Sequence, residues 1–140
     1  MTGTKPVPVP DDASEGFWEA TRRHELAIQR CRDCGHLAHP PRLMCGNCQS
    51  THPAFEWQVV SGNGRVRSWT VVRRALLPAF AQDLPYTIAE VELDDQPGLV
   101  ITGQLREVAP SSITLDLRVR VGFAGSSQGF AVPHFVPATI

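Results

Sequence analysis

The sequence has almost no net charge, no long apolar run and no leader-like start. Its net charge is −1 over 140 residues, which argues against a chain that binds polyanions through overall charge. No apolar run approaches the roughly 20 residues of a membrane-spanning helix. Prolines follow Met1–Lys5 where a signal peptide would have its apolar core. We therefore expect a cytoplasmic protein without membrane association.

Signatures of autonomous catalysis are also missing. The sequence contains no G-x-S-x-G, Walker or G-x-G-x-x-G element. The glycine turn Ser61–Gly64 is not followed by a helical pattern, so it is a weak candidate for holding phosphate. A general acid or base needs a reacting partner nearby, and the sequence places none of the five histidines beside a nucleophile: His24, His36, His39, His52 and His134. We expect a chain that is not itself a catalyst.

Cysteine is scarce and confined to one stretch. The four cysteines form two C-x-x-C pairs, Cys31 with Cys34 and Cys45 with Cys48. Two such turns supply four soft thiolates, which suits tetrahedral Zn²⁺. Disulfides would require an oxidising compartment, and a thioredoxin-like redox pair would require a βαβ context that neither pair has. Four protein ligands leave no open coordination position, so this zinc is expected to be structural.

The ribbon that would hold this zinc is predicted within residues 13–54, after an extended arm at residues 1–12. Prolines alternate with valines in the arm, which favours a polyproline-like conformation; a disordered tail and an arm lying on a partner both remain open. A short helix from Asp11 to about Arg23, capped by Asp12, precedes a rubredoxin-type zinc ribbon. His36 and His39 lie near the cysteines, but we expect both to be surface residues.

Residues 55–140 are predicted to form a five-stranded barrel. Twelve prolines and eleven glycines indicate many turns and short elements. The long strand Arg65–Arg74 places Val66, Ser68, Thr70 and Val72 inward, as a narrow barrel requires. The pattern favours a closed Greek-key barrel of the OB type, with an open sandwich as the alternative and an extended C-terminal strap from Phe130. The expected strands are Arg65–Arg74, Tyr86–Leu93, Leu99–Leu105, Ile113–Leu115 and Arg118–Phe123.

Charge and aromatic residues suggest binding surfaces. Residues 58–82 contain four arginines and no acid, whereas residues 83–99 contain five acids and no base. Cross-strand ion pairing explains this pattern most simply. Alternatively Arg73 and Arg74, at the end of the long strand, meet a phosphate or an acidic partner, with Phe80 and Tyr86 nearby in the sequence. Three further aromatics pack on this chain or on a partner subunit: Phe17, Trp18 and Trp69.

Motifs in a specific order resemble one known family over residues 14–137. They are Phe17-Trp18-Glu19-Ala20, Gln29-Arg30-Cys31-x-x-Cys34-Gly35, Pro40-Pro41-Arg42-x-x-Cys45-x-x-Cys48, Ser61-Gly62-x-Gly64-x-Val66, Thr70-Val71-Val72, Pro85-Tyr86, Val91-Glu92-Leu93-Asp94 and Pro133-x-Phe135-x-Pro137. The chain resembles the acyl-CoA-associated family that joins a rubredoxin-like zinc ribbon to an OB-fold. One departure is Asp116, which stands where that family often has glycine.

The resemblance implies an accessory role. Members of that family resemble subunits or bridges of thiolase-like enzymes and of steroid side-chain aldolases. The chain would dock on a thiolase-fold dimer, two copies of each, and help to enclose an acyl-CoA thioester. Arg73 and Arg74 would then meet a CoA phosphate, and Phe80 and Tyr86 would line the pantetheine or acyl channel. The competing hypothesis is a single-stranded nucleic-acid-binding module, for which only Trp69 between Arg67 and Arg73 resembles the required basic, stacking surface.

Overall fold

The computed structural model describes residues 4–50, 55–125 and 129–138, and their fold is mainly β. A three-stranded sheet of order β2-β1-β3 precedes a closed barrel of order β4-β5-β6-β8-β7. The elements are α1 Glu15–Arg22, β1 Leu26–Cys31, β2 Leu37–Ala38, β3 Phe55–Val60, β4 Asn63–Val72, β5 Tyr86–Leu93, β6 Val100–Leu105, β7 Arg118–Gly125 and β8 Ala131–Pro137, with short 3₁₀ helices at Pro78–Asp83 and Pro110–Ser112. The predicted helix, zinc-ribbon region and five-stranded barrel are confirmed.

The start of α1 differs from the prediction. The turn before the helix is closed by Asp11 and Ser14, not by Asp12. The Ser14 backbone N–H donates to the Asp11 carboxylate at 2.8 Å, and the Asp11 N–H donates to Ser14 Oγ at 3.1 Å. This reciprocal pair satisfies donors that would otherwise be free at the helix start, so the helix begins at Glu15.

β3 connects the two parts of the structure. It pairs antiparallel with β1 from Leu26 opposite Val60 to Cys31 opposite Phe55, so it belongs to the ribbon sheet and not to the barrel. Only two residues separate β3 from β4. The three predicted domains are an arm at residues 1–12, a ribbon module at residues 13–54 and an OB-fold module at residues 55–140. This division stays a prediction.

The fifth barrel strand lies in the C-terminal tail. β8 pairs antiparallel with β7 from Val119–Pro137 to Gly125–Ala131, and parallel with β6 at Gln104 and Leu105. The predicted extended strap is therefore the strand that closes the barrel. Residues Ile113–Leu115, expected to be a strand, instead follow a 3₁₀ helix and leave Leu115 exposed.

A β-bulge in β4 reverses the predicted orientation of half of that strand. Val66 pairs with Val91, but the register shifts before Ser68, so Trp69 pairs with the buried residue Ala89. One extra residue at Arg67 moves all later side chains to the opposite face. Val66 points inward as predicted, whereas Ser68, Thr70 and Val72 share the outward face.

Two features fix the ribbon and the helix to the barrel. The Gln96 side chain, in the turn after β5, donates to the Leu37 carbonyl and accepts from the Leu37 N–H, both at 2.8 Å. The buried Thr21 hydroxyl of α1 accepts the Ala131 N–H at 3.3 Å. One buried core includes Phe17 and Leu26 from the N-terminal part and Phe135 from the barrel. The ribbon and barrel therefore share their stability.

In the described part of the chain, every helix is too short or too polar to cross a membrane.

Candidate functional site

The four cysteines converge on one point. Their sulfurs lie within 4.8 Å of one another, with 3.7 Å between Cys31 and Cys48 and 3.7 Å between Cys34 and Cys45. Zn–S bonds of about 2.3 Å in a tetrahedron place the sulfurs about 3.8 Å apart. The arrangement therefore fits Zn²⁺ bound by four thiolates, and this metal is structural because the chain fills every position.

Two equivalent turns hold the cysteine pairs. In the first, the Gly35 N–H donates to the Cys31 carbonyl at 2.7 Å, and in the second the Gln49 N–H donates to the Cys45 carbonyl at 2.8 Å. Both residues have positive φ, 79° at Gly35 and 60° at Gln49, which favours glycine. The glycine at position 35 indicates this conformation in the first turn. In the second turn the residue with positive φ is Gln49, although a glycine is present nearby at Gly46.

Asn47 supports the thiolates, and sequence reasoning missed it. Its side-chain amide donates to Cys34 Sγ at 3.5 Å, and its backbone N–H donates to Cys45 Sγ at 3.4 Å. The Asn47 amide, followed by the His36 N–H, lowers the pKa of Cys34 to about 6. Its position inside the second C-x-x-C was the available signal, because polar groups there turn towards the sulfurs.

The histidines do not form a reaction centre among the described residues. His36 is half-buried. His39 was expected at the surface, but its ring packs 5.2 Å from Phe17, and burial lowers its pKa. His24 stacks on Phe123 at 5.4 Å. His134 lies on β8, and His52 lies outside the described residues.

The basic segment divides into paired and unpaired arginines. Arg65 and Arg67 both donate to Glu92 Oε1 at 2.7 Å, so the expected cross-strand pairing applies to them. Within the described ranges, Arg73 and Arg74 form no ion pair. They remain exposed after the end of β4.

Glu92 makes the stability depend on pH. The Gly98 N–H, followed by Arg65 and Arg67, lowers its pKa from 4.5 to about 2. A lowered pKa in the folded state stabilises the fold above the unfolded pKa, and this contribution is lost as the pH falls through the folded value. The stability gap between wild type and Glu92→Gln should therefore be full above about pH 4.5 and shrink towards about pH 2.

Denaturant unfolding of both proteins at several pH values between 7 and 2 measures this gap. Acid release of zinc affects both proteins equally and cancels in the comparison. A gap that does not change with pH would show that the Glu92 carboxylate is not stabilised as described.

Phe80 and Tyr86 come together as the sequence suggested. Their ring centroids lie 6.1 Å apart, and both line a groove on the outer face of the barrel. Arg73 and Arg74 do not line that groove; its basic residues are Lys5 and Arg106. The four residues proposed for CoA or acyl binding therefore separate into an aromatic pair and an exposed arginine pair.

The three aromatics proposed for a partner interface have different surroundings. Phe17 is 6% exposed and packs within this chain's own core. Trp18 is half-buried, 6.2 Å from the Phe130 ring. Trp69 is 38% exposed, and the bulge places it on the same face of the sheet as the buried residue Ala89. Trp18 and Trp69 keep surface that a partner could reach.

The turn at Asp116 accommodates the departure from the family pattern. Asp116 has a φ of 68°, the left-handed conformation that glycine adopts without cost. Its N–H donates to the Val66 carbonyl at 2.9 Å, and its carboxylate pairs with Arg65 at 3.4 Å. Aspartate tolerates this conformation better than most residues, so the turn forms without glycine.

Comparison with known proteins matches both parts of the chain. Residues 18–56 match the ChsH2 rubredoxin-like zinc ribbon domain, and residues 57–124 match the ChsH2 C-terminal OB-fold domain. A solved structure described as the Ltp2-ChsH2(DUF35) aldolase contains a similar chain, with 30% identity and a TM-score of 0.83, covering 95% of this chain and 100% of that one.

Two curated relatives extend the comparison. A probable enoyl-CoA hydratase alpha subunit of Thermomonospora curvata is 36% identical over 87% of this chain, but this chain spans only 37% of its length. A DUF35 domain-containing scaffold protein of Methanocaldococcus jannaschii is 34% identical over 72% of this chain and 69% of its own length. With both modules matched in order, the chain belongs to the ChsH2 family, in which a rubredoxin-like zinc ribbon precedes an OB-fold.

Proposed function

We propose that this chain is an accessory subunit, without independent activity, that docks on a thiolase-superfamily enzyme and helps to bind or enclose its acyl-CoA substrate. The partner would be a thiolase or a steroid side-chain aldolase of the cytoplasm. The supporting observation is that 95% of this chain aligns with the whole of one chain in the Ltp2-ChsH2(DUF35) aldolase structure. The Methanocaldococcus jannaschii relative, which this chain covers over 69% of its length, is described as a scaffold protein, and this description agrees with a non-catalytic role.

A patch beside the barrel suits docking. We call Arg73, Arg74, Leu76 and Leu77 the docking patch. Leu76 is 91% exposed and Leu77 48% exposed, and the neighbouring arginines have no acidic partner in the described part of the chain. Exposed leucines beside unpaired arginines fit a partner surface with an apolar centre and an acidic rim. Arginine also suits the phosphates of CoA.

The nucleic-acid hypothesis loses its main support. Arg67 is paired with Glu92, and the bulge turns Trp69 away from the arginine face on which stacking was expected. OB-folds bind nucleic acids on the face of their second and third strands. In this chain those strands are β5 and β6, and the N-terminal arm and α1 lie beside their outer face.

Assembly can be tested by producing this chain together with a thiolase-fold protein of the same organism. Size exclusion with light scattering should give one species with the mass of two copies of each chain. A variant of this chain with Leu76→Ser and Leu77→Ser serves as the control for non-specific association. Separate elution of the two proteins at micromolar concentration would contradict the proposal.

A further inference from the structure

A groove runs along the outer face of β5, β6 and β8, and we call it the outer trough. It consists of two cavities, of about 480 Å³ and about 600 Å³. Both are lined by Ile88, Gln104, Arg106 and Val132, so the two cavities adjoin each other. Each has the volume of a small-molecule site.

The chain's own N-terminal residues line both parts of the outer trough. Phe17 and Trp18 of α1 border one end, and the arm from Thr4 to Pro8 borders the other. Lys5 holds the arm in place: its ammonium lies 2.6 Å from Asp83 and 5.6 Å from the Phe80 ring centroid. The arm and α1 therefore form part of the walls of the trough.

The floor of the trough is unusually apolar for an outward face. A barrel strand normally alternates apolar residues inward with polar residues outward. Here Tyr86 and Ile88 alternate with the inward residues Thr87 and Ala89, and Val132 remains 43% exposed. The floor therefore suits the apolar body of a ligand.

Two histidines and one arginine of the trough have unused binding capacity. The Nδ1 atoms of His39 and His134 are buried and have no hydrogen-bond partner among the described residues. Arg106 donates to Gln104 Oε1 at 2.9 Å and, within the same residues, forms no ion pair.

Arg106 places a positive charge near His134 in the trough. Burial, followed by the nearby Arg106 charge, lowers the pKa of His134, whereas the Glu107 carboxylate raises it. An anion beside Arg106 would compensate that charge, and it could use the unpaired imidazole as a hydrogen-bond partner.

We propose that the outer trough binds a small amphipathic anion, with its apolar body over Ile88 and Val132 and a carboxylate, sulfonate or phosphate at Arg106 and His134. The N-terminal arm closes over the bound molecule. All of these residues belong to this chain, so the site does not depend on docking to another protein, and failure of either proposal leaves the other standing.

Two fluorescent probes separate the apolar and anionic parts of this site. Anilinonaphthalene sulfonate has an apolar body with one sulfonate, and N-phenylnaphthylamine has the same body without charge. The zinc-loaded full-length protein should bind the anionic probe at one site and more tightly than the neutral probe. Arg106→Gln should weaken anionic binding roughly tenfold or more, because a charged hydrogen bond is lost, and should leave neutral binding unchanged.

Matched variants exclude binding elsewhere. Ala124 lies on the wall of the larger cavity, so Ala124→Trp should narrow that cavity and weaken the binding of both probes. Arg120→Gln removes an exposed arginine from the same barrel, and it should change neither. Zinc content and thermal unfolding verify that each variant is folded. Probe binding that survives both Arg106→Gln and Ala124→Trp, or that Arg120→Gln weakens equally, would overturn the proposal.

Discussion

Replacing Cys31 with serine is expected to remove the zinc and unfold the ribbon. Cys31 is buried, and the four sulfurs together provide the complete ligand set. Metal binding at such a site is folding free energy. Because the ribbon and barrel share one core, we expect the free energy of unfolding to fall by about 4 kcal/mol or more. Elemental analysis and thermal unfolding of the purified variant measure both effects.

His36→Ala is the matched control for this experiment. His36 lies two residues after Cys34 and could have been a spare ligand, but its side chain is not part of the cysteine cluster. The His36→Ala variant should keep one zinc per chain and unfold at the same temperature as the wild type. A Cys31→Ser protein that keeps its zinc, fold and partner but abolishes the partner's activity would contradict a purely structural metal.

Reversing the charge of the docking patch is expected to prevent assembly. The double variant Arg73→Glu, Arg74→Glu should weaken binding to the thiolase-fold partner by at least about thirtyfold, since buried interface arginines often contribute about 2 kcal/mol or more. The fold should not change, because both side chains are exposed. Isothermal titration of the partner with wild-type and variant chains measures the loss.

Arg120→Glu tests whether the loss of partner binding comes from the docking patch itself or from the change in overall charge. Arg120 is exposed on β7, away from the docking patch in sequence, and it should leave the affinity within about threefold of wild type at physiological ionic strength. If Arg120→Glu and the double variant weaken binding to the same extent per charge, the effect is long-range and the patch is not the interface.

The metal centre was predictable from the sequence because its information is local. Each C-x-x-C turn determines its own geometry, and only the meeting of the two turns requires the fold. The outer limits of the barrel strands β4 to β7 were also close to prediction, since their alternation of apolar and polar residues is strong. Gly35 could be assigned to a tight turn for the same local reason.

Other features depend on contacts between distant residues. The bulge at Arg67 reversed the face of Trp69, and alternation alone could not reveal a one-residue shift. The prolines of β8 weaken the strand pattern and predict an extended strap, yet pairing with β6 and β7 makes this segment the strand that closes the barrel. The arm's position over Phe80 depends on Lys5 and Asp83, which are far apart in the sequence.

The central claim is that this chain is needed by a partner and does not act alone. Its most direct test is the turnover of acyl-CoA by a thiolase-fold partner as this chain is titrated into the assay. We predict no turnover by this chain alone, little by the partner alone, and a rise that saturates at one copy of this chain per partner copy. A partner rate that does not change with added chain, or turnover by this chain alone, would contradict the account.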